Sequence, residues 1–495
     1  MRKIRFYLSL IISLLILLSG CSQQEKPKKE TEKIAKDVNL LKIAGDQIVN
    51  QKGDTVFLRG FGLGGMLHME NFIDGYSGNE QAMRDGLLKV MGEKQYNLYF
   101  DTFLKNYFTE PDAQYVESMD LNLIRIPINY HLFEDDMNPG VIKTEAFAYL
   151  DNVIELCAKH KIYTIIDLHA LPGAQNQHWH SDNPTHKATF WDHKEFQDRV
   201  VHLWEVIADH YKNQPWLAGY DLINEPGDPT GERVFTYYKR LREVIMKVDP
   251  DHLFFLEGDR YATDFSKFTE IWDNAVYTNH DYALPGFIRG GDYPGITDGR
   301  FVNRDTLEKD FLKKSIFMLD RKVPIWVGEF GPVYTGNPVK DEMRYQILKD
   351  QLAYYKKYKV SWCIWLYKDL GLQAVVHQKD ETPYMKMVTP FLKKKDRLGA
   401  DAWGSTDKDI RQVIAPLEDL FKKEFPEYNP YPTGISRHLT LLVRNILISE
   451  ALLPEYCNLF KGKTDDEIIA LAKSFSFDNC VKRDRLEKIL TGKEK

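Results

Sequence analysis

The chain has 495 residues, of which 43 % are apolar and 28 % charged, with 66 Lys plus Arg against 72 Asp plus Glu for a net charge of −6. That is the balance of an ordinary globular protein. It excludes a disordered, collagen-like or multi-span membrane chain, and it leaves no basic footprint for nucleic acid. Aromatic residues reach 13 %. Most fill a core, but aromatic faces are also what proteins stack against sugar rings. Five cysteines, at 21, 157, 363, 457 and 480, are too few and too scattered for a disulfide scaffold or a zinc site.

The N-terminus reads as an address. A basic Met1–Arg5 stretch precedes an apolar run over 6–18, too short to span a bilayer, which needs about 20 residues. Leu18-Ser19-Gly20-Cys21 resembles a bacterial lipobox. This implies a signal peptide over 1–20, lipidation at Cys21, and a polar tether over 21–39 that buries nothing. The expected location is extracytoplasmic, anchored by acyl chains to the outer membrane or cell surface. In that compartment Cys457 and Cys480 either pair or stay free.

From residue 40 to 58, two alternating apolar runs flank Asn50-Gln51-Lys52-Gly53-Asp54, which predicts a hairpin. Eight short apolar runs follow at 57–62, 123–128, 163–168, 218–223, 253–256, 275–278, 325–327 and 362–366, as buried parallel strands should read. Helical periodicity lies between them. Phe147, Leu150, Ile154 and Cys157 share a face, as do Phe196, Val200, Leu203, Ile207 and Tyr211, and Val234, Leu241, Ile245 and Val248. Ile410, Val413, Leu417, Leu420 and Phe421 mark a helix to close the set. Eight strand–helix units predict an α/β fold, a (β/α)8 TIM barrel over 40–425. A doubly wound sheet lacks its Gly-rich phosphate loop. Long loops at 64–112, 170–193 and 367–404 rise on the barrel's C-terminal face. Residues 426–495 form a helical C-terminal extension in which the sequence shows no chemistry.

Ionisable residues stand where the strands stop: Arg125, Asp167 with His169, Asn224-Glu225-Pro226, His280-Asp281-Tyr282, Gly328-Glu329 and, in the eighth, Trp365. Glu225 and Glu329 end strands three apart around the ring, so their carboxyls face one cavity. Glycosidic hydrolysis needs such a pair: one protonates the leaving oxygen, the other attacks the anomeric carbon or activates water. The attacking carboxylate needs a cation, which Arg125 can supply. No metal or organic cofactor is required. His178, His180, His186 and His193 crowd one loop and are read as sugar-facing or incidental rather than metal-binding. Trp179 and Trp191 either line a subsite or pin their loop, and Asp167 either orients His169 or caps a turn.

This set resembles glycoside hydrolase family 5, the cellulase-like retaining β-glycosidases. Asn224-Glu225-Pro226 is similar to the family's acid/base motif, and Trp326-Val327-Gly328-Glu329-Phe330-Gly331 to its nucleophile motif. The resemblance implies Glu225 as acid/base and Glu329 as nucleophile. It implies that Arg125 and Tyr282 hold the nucleophile, that His169, Asn224 and His280 order the site and bind sugar hydroxyls, and that Trp365 underlies the sugar being cleaved. Two positions depart: many members carry Asn at Gly62 and Trp at Met66. The loop from His169 to Asp182 resembles the exo-β-1,3-glucanase branch. The expected activity is retaining hydrolysis of a β-glucan or related β-linked glycan, with carboxyls about 5–5.5 Å apart. A non-catalytic glycan-binding lipoprotein, and a β-mannanase or glycolipid glycosidase, are the alternatives.

Overall fold

The computed structural model describes residues 40–287 and 291–494. The signal peptide, Cys21 and the tether lie outside the described residues. Eight parallel strands close a barrel: β1 (Arg59–Gly62), β2 (Leu123–Asn129), β3 (Tyr163–Ala170), β4 (Leu217–Asp221), β5 (Leu253–Glu257), β6 (Ala275–His280), β7 (Ile325–Glu329) and β8 (Ser361–Ile364). Each pairs with its neighbour in chain order, β8 with β1, as a (β/α)8 TIM barrel requires. All eight expected runs are barrel strands.

The two-residue strand period sorts the interior into layers. Leu123, Ile165, Leu253, Phe255, Val276 and Trp326 pack with Cys363 as an apolar floor. The next inward residues up the strands are Arg125, Asp167, Glu257 and Thr278, all fully buried. The floor thus ends where the chemistry begins. An N-terminal hairpin, Lys42–Ala44 with Gln47–Val49, sends Leu41 and Ile48 into the same floor. Its tight turn lies at Gly45, while the expected 50–54 turn follows it, closed by the Asn50 side chain on the Lys52 and Asp54 amides.

Three predicted helical faces point inward: Phe147, Leu150, Ile154 and Cys157 of Phe147–Lys159 are buried, as are Val200, Leu203, Ile207 and Tyr211 of Lys194–Tyr211 and Leu241 and Ile245 of Val234–Val248. The fourth does not. Arg411–Glu424 is helical, but Val413, Leu417 and Leu420 are exposed and its buried residues are Ile414 and Glu418. Its polar face is the inward one, because the Arg411 guanidinium and the Thr440 hydroxyl bind the Glu418 carboxylate. The helix after β8 is instead Pro383–Arg397, which buries Tyr384, Met385, Val388 and Phe391.

The C-terminal residues are built into the barrel domain rather than appended to it. Ile448–Asn458 and Asp465–Lys473 pack on the long helix Glu80–Tyr107, and Cys480–Lys482 pairs antiparallel with Val376–Gln378. The Asp401 carboxylate ties the pieces together, accepting from Ser449 Oγ at 2.8 Å and Ser77 Oγ at 3.1 Å and pairing with Lys395 Nζ at 2.9 Å. Cys157, Cys363, Cys457 and Cys480 are free thiols. Cys457 lies against Gly86, whereas Cys480 donates to the Ser476 carbonyl, so the two do not pair.

The His438 ring of the extension packs 4.9 Å from that of His186 in the loop after β3. Burial and the His438 neighbour push His186 down to about 4, against roughly 6.5 when unfolded. Between those values the unfolded chain binds a proton that the folded chain refuses. This contribution to stability is therefore complete above pH 6.5 and lost as pH falls toward 4. His186→Gln should lose less melting temperature than the parent between pH 7 and pH 4.5 in calorimetric scans; equal losses would show that His186 has no part in the acid sensitivity.

Candidate active site

Arg125 organises the mouth. It is fully buried on β2, inside the ring. Its Nε donates to Asp221 at 3.0 Å, Nη1 to Glu329 at 2.6 Å, and Nη2 to Asn224 Oδ1 at 2.8 Å and Glu257 at 3.0 Å. Asp167 lies 3.2 Å from Nη2. One cation cannot neutralise four carboxylates in a dry interior. Burial pushes Asp167 up to about 7 against the pull of Arg125, and burial with Glu257 beside it lifts Asp221 well above the carboxylate range. Some of these groups therefore hold protons at neutral pH, and Glu329 receives the shortest of the guanidinium's bonds.

The two expected carboxyls face each other. An oxygen of Glu225, an oxygen of Glu329 and a ring nitrogen of His280 all lie within 4.8 Å of one another. That spacing suits direct attack on an anomeric carbon rather than the wider gap, roughly 6.5–9.5 Å, that houses a water. Glu329 stands at a register shift between Val327 and Glu329. A Cβ on the intervening Gly328 would sit 2.7 Å from Thr278 Cγ2, so only glycine allows the bulge that re-aims Glu329. Tyr282 Oη donates to Glu329 Oε2 at 2.8 Å. Burial, then the Glu329 and Glu225 charges, keep that phenol well above its usual range and hence a donor.

Glu225 follows β4 with φ of +44°, a left-handed conformation that costs a non-glycine residue about 1–3 kcal/mol. Its neighbours hold it there. Its amide donates to Glu257 at 2.6 Å, Asn176 Nδ2 donates to its carbonyl at 2.9 Å, and Gln175 Nε2 to the Asn224 carbonyl at 2.9 Å. The carboxyl lies between two imidazoles, with His280 Nδ1 at 2.6 Å from Oε1 and His180 Nε2 at 3.1 Å from Oε2. Burial raises Glu225, but hydrogen bonds from His180 and His280 prevail and hold it well below the carboxylate range. His280 is desolvated too, yet Glu257 and Glu329 raise it well above the imidazole range. Together these shifts favour a proton on His280 facing an ionised Glu225 across the 2.6 Å contact.

His169 gives Nδ1–H to Asp167 at 2.7 Å, so Asp167 orients that ring; Nε2 faces Asn224 Nδ2 at 3.2 Å. Trp365 stacks on His169 at 5.4 Å and 10°. The Gly62 departure has a steric reason: a Cβ there would lie 2.5 Å from Trp365 Cε3, and one on Gly64 2.8 Å from Cζ2. The indole occupies the space an Asn would need. Met66 is buried in the core around the site. All eight expected residues therefore meet at one mouth.

That mouth opens into a cavity of about 1230 Å³. The loop tryptophans divide: Trp179 lines the cavity, while Trp191 Nε1 binds the Gln175 carbonyl at 2.8 Å and pins the loop. His178 and His180 also line it. Several residues escaped the sequence reading. Glu257 ends β5 as an acid after an apolar run, the same signal used for the other strands. Glu70 lines the cavity, and burial, with Glu329 and Glu225 nearby, raises it well above the carboxylate range. The far wall comes from 402–444, including Trp403, Arg411, Glu418, Arg437 and Arg444. No local pattern marks these. His68, Glu70 and His169 also present donor atoms within 4.8 Å of one another, but both His169 nitrogens already have Asp167 and Asn224 as partners.

A closed barrel with two carboxyls opposed across its C-terminal mouth is the framework of a glycoside hydrolase. Residues 91–371 match the Cellulase family, glycosyl hydrolase family 5. A β-xylosidase of Phanerodontia chrysosporium is 47 % identical over 466 residues, covering 91 % of this chain and 97 % of its own. Endoglucanase C of Acetivibrio thermocellus is 22 % identical over 333 residues, 60 % of this chain and 93 % of its own. The solved structure of AoRut, 19 % identical, shares the fold over 64 % of this chain and 89 % of its own, with a TM-score of 0.52. The chain belongs to glycoside hydrolase family 5, whose members retain anomeric configuration.

Arg125→Met leaves four acids without their cation. It should destabilise the fold by about 3–5 kcal/mol, the cost of breaking a buried ion network, measured by urea unfolding at pH 7. A loss below 1 kcal/mol would mean that the acids hold themselves together.

Proposed function

We propose that this glycoside hydrolase is an exo-acting β-xylosidase, with Glu329 as nucleophile and Glu225 as acid/base. The exo-acting reading is carried by the wall of 402–444 residues that lines the same cavity as Glu225 and Glu329. Such a wall favours a chain end or a small glycoside over the middle of a polymer. The sugar is taken from the P. chrysosporium relative, whose similarity extends over nearly the whole chain. It narrows the sequence reading, a β-glucan or related β-linked glycan, to one member of that class.

In this mechanism the terminal sugar lies against Trp365, its hydroxyls toward His169 and Asn224. Glu329, supplied with donors by Arg125 and Tyr282, attacks the anomeric carbon. The leaving oxygen takes its proton from Glu225, drawn across from His280 as the glycoside displaces water. Glu225 then removes a proton from an incoming water, which cleaves the glycosyl–Glu329 ester and restores the β configuration.

A panel of 4-nitrophenyl β-D-xyloside, glucoside, mannoside and galactoside, with xylan, β-1,3-glucan and mannan, tests substrate and mode together. The xyloside should be hydrolysed fastest and xylo-oligosaccharides should shorten one unit at a time. Internal cuts in any polymer would overturn the exo reading; a faster glucoside, mannoside or galactoside would overturn the sugar. Glu329→Gly should lower turnover about 10⁴-fold or more, in keeping with removal of the group that forms the covalent bond. A 2-fluoro-xyloside should label Glu329 in peptide mass spectra. A label elsewhere would reassign the nucleophile.

We also place the enzyme on a bacterial membrane outside the cytoplasm, through acylated Cys21; the lipobox-like Leu18–Cys21 run supports this. Cys21→Ser should abolish palmitate labelling and move the protein from the membrane fraction to the soluble one. Unlabelled parent protein would refute the anchor.

A further inference from the structure

The histidines crowded after β3 have no part in the mechanism so far, yet one of them touches its central acid. His180 Nε2 lies 3.1 Å from Glu225 Oε2, across the carboxyl from His280 on Oε1. Behind it, His180 Nδ1 meets His178 Nδ1 at 3.2 Å. Behind that, His178 Nε2 faces Asn445 Nδ2 at 3.5 Å. The line Glu225–His180–His178–Asn445 runs from a barrel strand end, through the β3 loop, into the C-terminal segment.

The hydrogen-bond inventory limits how this line can be protonated. Asn445 Oδ1 accepts the Ala402 amide at 2.9 Å, so its Nδ2 must face His178. Asn176 Oδ1 accepts the His178 amide at 2.9 Å, and its Nδ2 donates to the Glu225 carbonyl at 2.9 Å. That nitrogen's second hydrogen therefore reaches His180 Nε2, at 3.0 Å. Each end of the imidazole pair thus meets an amide donor, and neutral rings can satisfy one end at a time. In one arrangement His180 carries its proton on Nδ1 and gives it to His178, leaving the single Nε2 lone pair to be shared between Asn176 and a protonated Glu225. In the other, His178 accepts from Asn445 and donates through Nδ1, and His180 Nε2–H binds an ionised Glu225. Passing from the first to the second moves the Glu225 proton to His180, the His180 proton to His178, and one proton from His178 Nε2 to the cavity. Three hydrogens become two plus the one released.

We propose that His180, backed by His178, is a positioning residue for the acid/base Glu225, and that the C-terminal segment completes the pair through Asn445. The pair holds the carboxyl in one place through both protonation states that double displacement requires. It also gives Glu225 a route for proton exchange when a sugar fills the mouth. The structure thereby gives the extension a chemical task as well as a steric one. The inference rests on the reading of Glu225 as acid/base.

The test uses kcat/KM of the full-length protein on aryl β-D-xylosides and β-D-glucosides of graded leaving-group acidity, from phenyl to 2,4-dinitrophenyl. A dinitrophenolate leaves without a proton, so a defect confined to acid delivery disappears with it. His180→Ala should lower kcat/KM on phenyl glycosides about 10–100-fold, part of the 10²–10⁴ that acid catalysis supplies, and on dinitrophenyl glycosides by less than about threefold. His180→Gln, which places an amide nitrogen near the Nε2 position, should recover most of the loss. His178→Ala and Asn445→Ala should repeat the pattern more weakly, which covers the case that His180→Ala does not fold. Equal loss on every leaving group would mark His180 as merely structural, and no loss would remove it from the reaction; either overturns the proposal. Glu225→Ala separates the two readings. If it lacks leaving-group dependence, the acid/base assignment fails and this inference fails with it. If Glu225→Ala shows the dependence and His180→Ala does not, only the inference falls.

Discussion

A single buried guanidinium sets the terms for the whole mouth of this barrel. Arg125 is the cation to which Asp167, Asp221, Glu257 and Glu329 turn. Its planar fork offers five donors in fixed directions, so it can bind several strands at once where a lysine would serve as one mobile point. Because the acids outnumber it, protons are distributed rather than fixed. Asp167 and Asp221 are pushed toward the neutral form, while Glu329 lies on the guanidinium at 2.6 Å. The surroundings of Glu329 and Glu225 differ accordingly: one carboxyl sits against an arginine and a phenol, the other between two imidazoles.

The apolar floor makes that arrangement rigid. Phe255, Val276 and Trp326 fill the barrel just beneath the charged layer, and the Trp326 face lies 5.9 Å from the Arg125 guanidinium. Water is excluded from below, so each hydrogen bond above acts in a low dielectric. The strained Glu225 backbone, the Gly328 bulge and the Trp365 indole over Gly62 are tolerated because their surroundings over-determine them. Residues of 402–444 line the same cavity as Glu225 and Glu329.

The barrel and the ionisable residues ending its strands were legible in the sequence for one reason, while the full set of eight came from the resemblance to glycoside hydrolase family 5. Inward positions of buried parallel strands are apolar until the strand ends, so an acid, histidine or arginine closing such a run is conspicuous. Asp167 and Glu257 carry that same signal, and only the structure shows what they hold. Helical periodicity also served, except at Arg411–Glu424. There, apolar spacing implied a core face, but the Glu418–Arg411 pair and Thr440 turn the opposite side inward.

The sequence by itself determined the strand order, the strand-end chemistry and the opposition of Glu225 to Glu329, since strand number and side-chain alternation fix these once a barrel closes. Tertiary structure alone decided what the C-terminal residues do. The contact of Asn445 with His178 joins residues 267 positions apart, and Trp403 packs against Tyr282 and Phe287, distant in the chain. No local periodicity encodes a contact of that range. The same holds for His180, a loop residue whose meaning comes wholly from the Glu225 oxygen it meets.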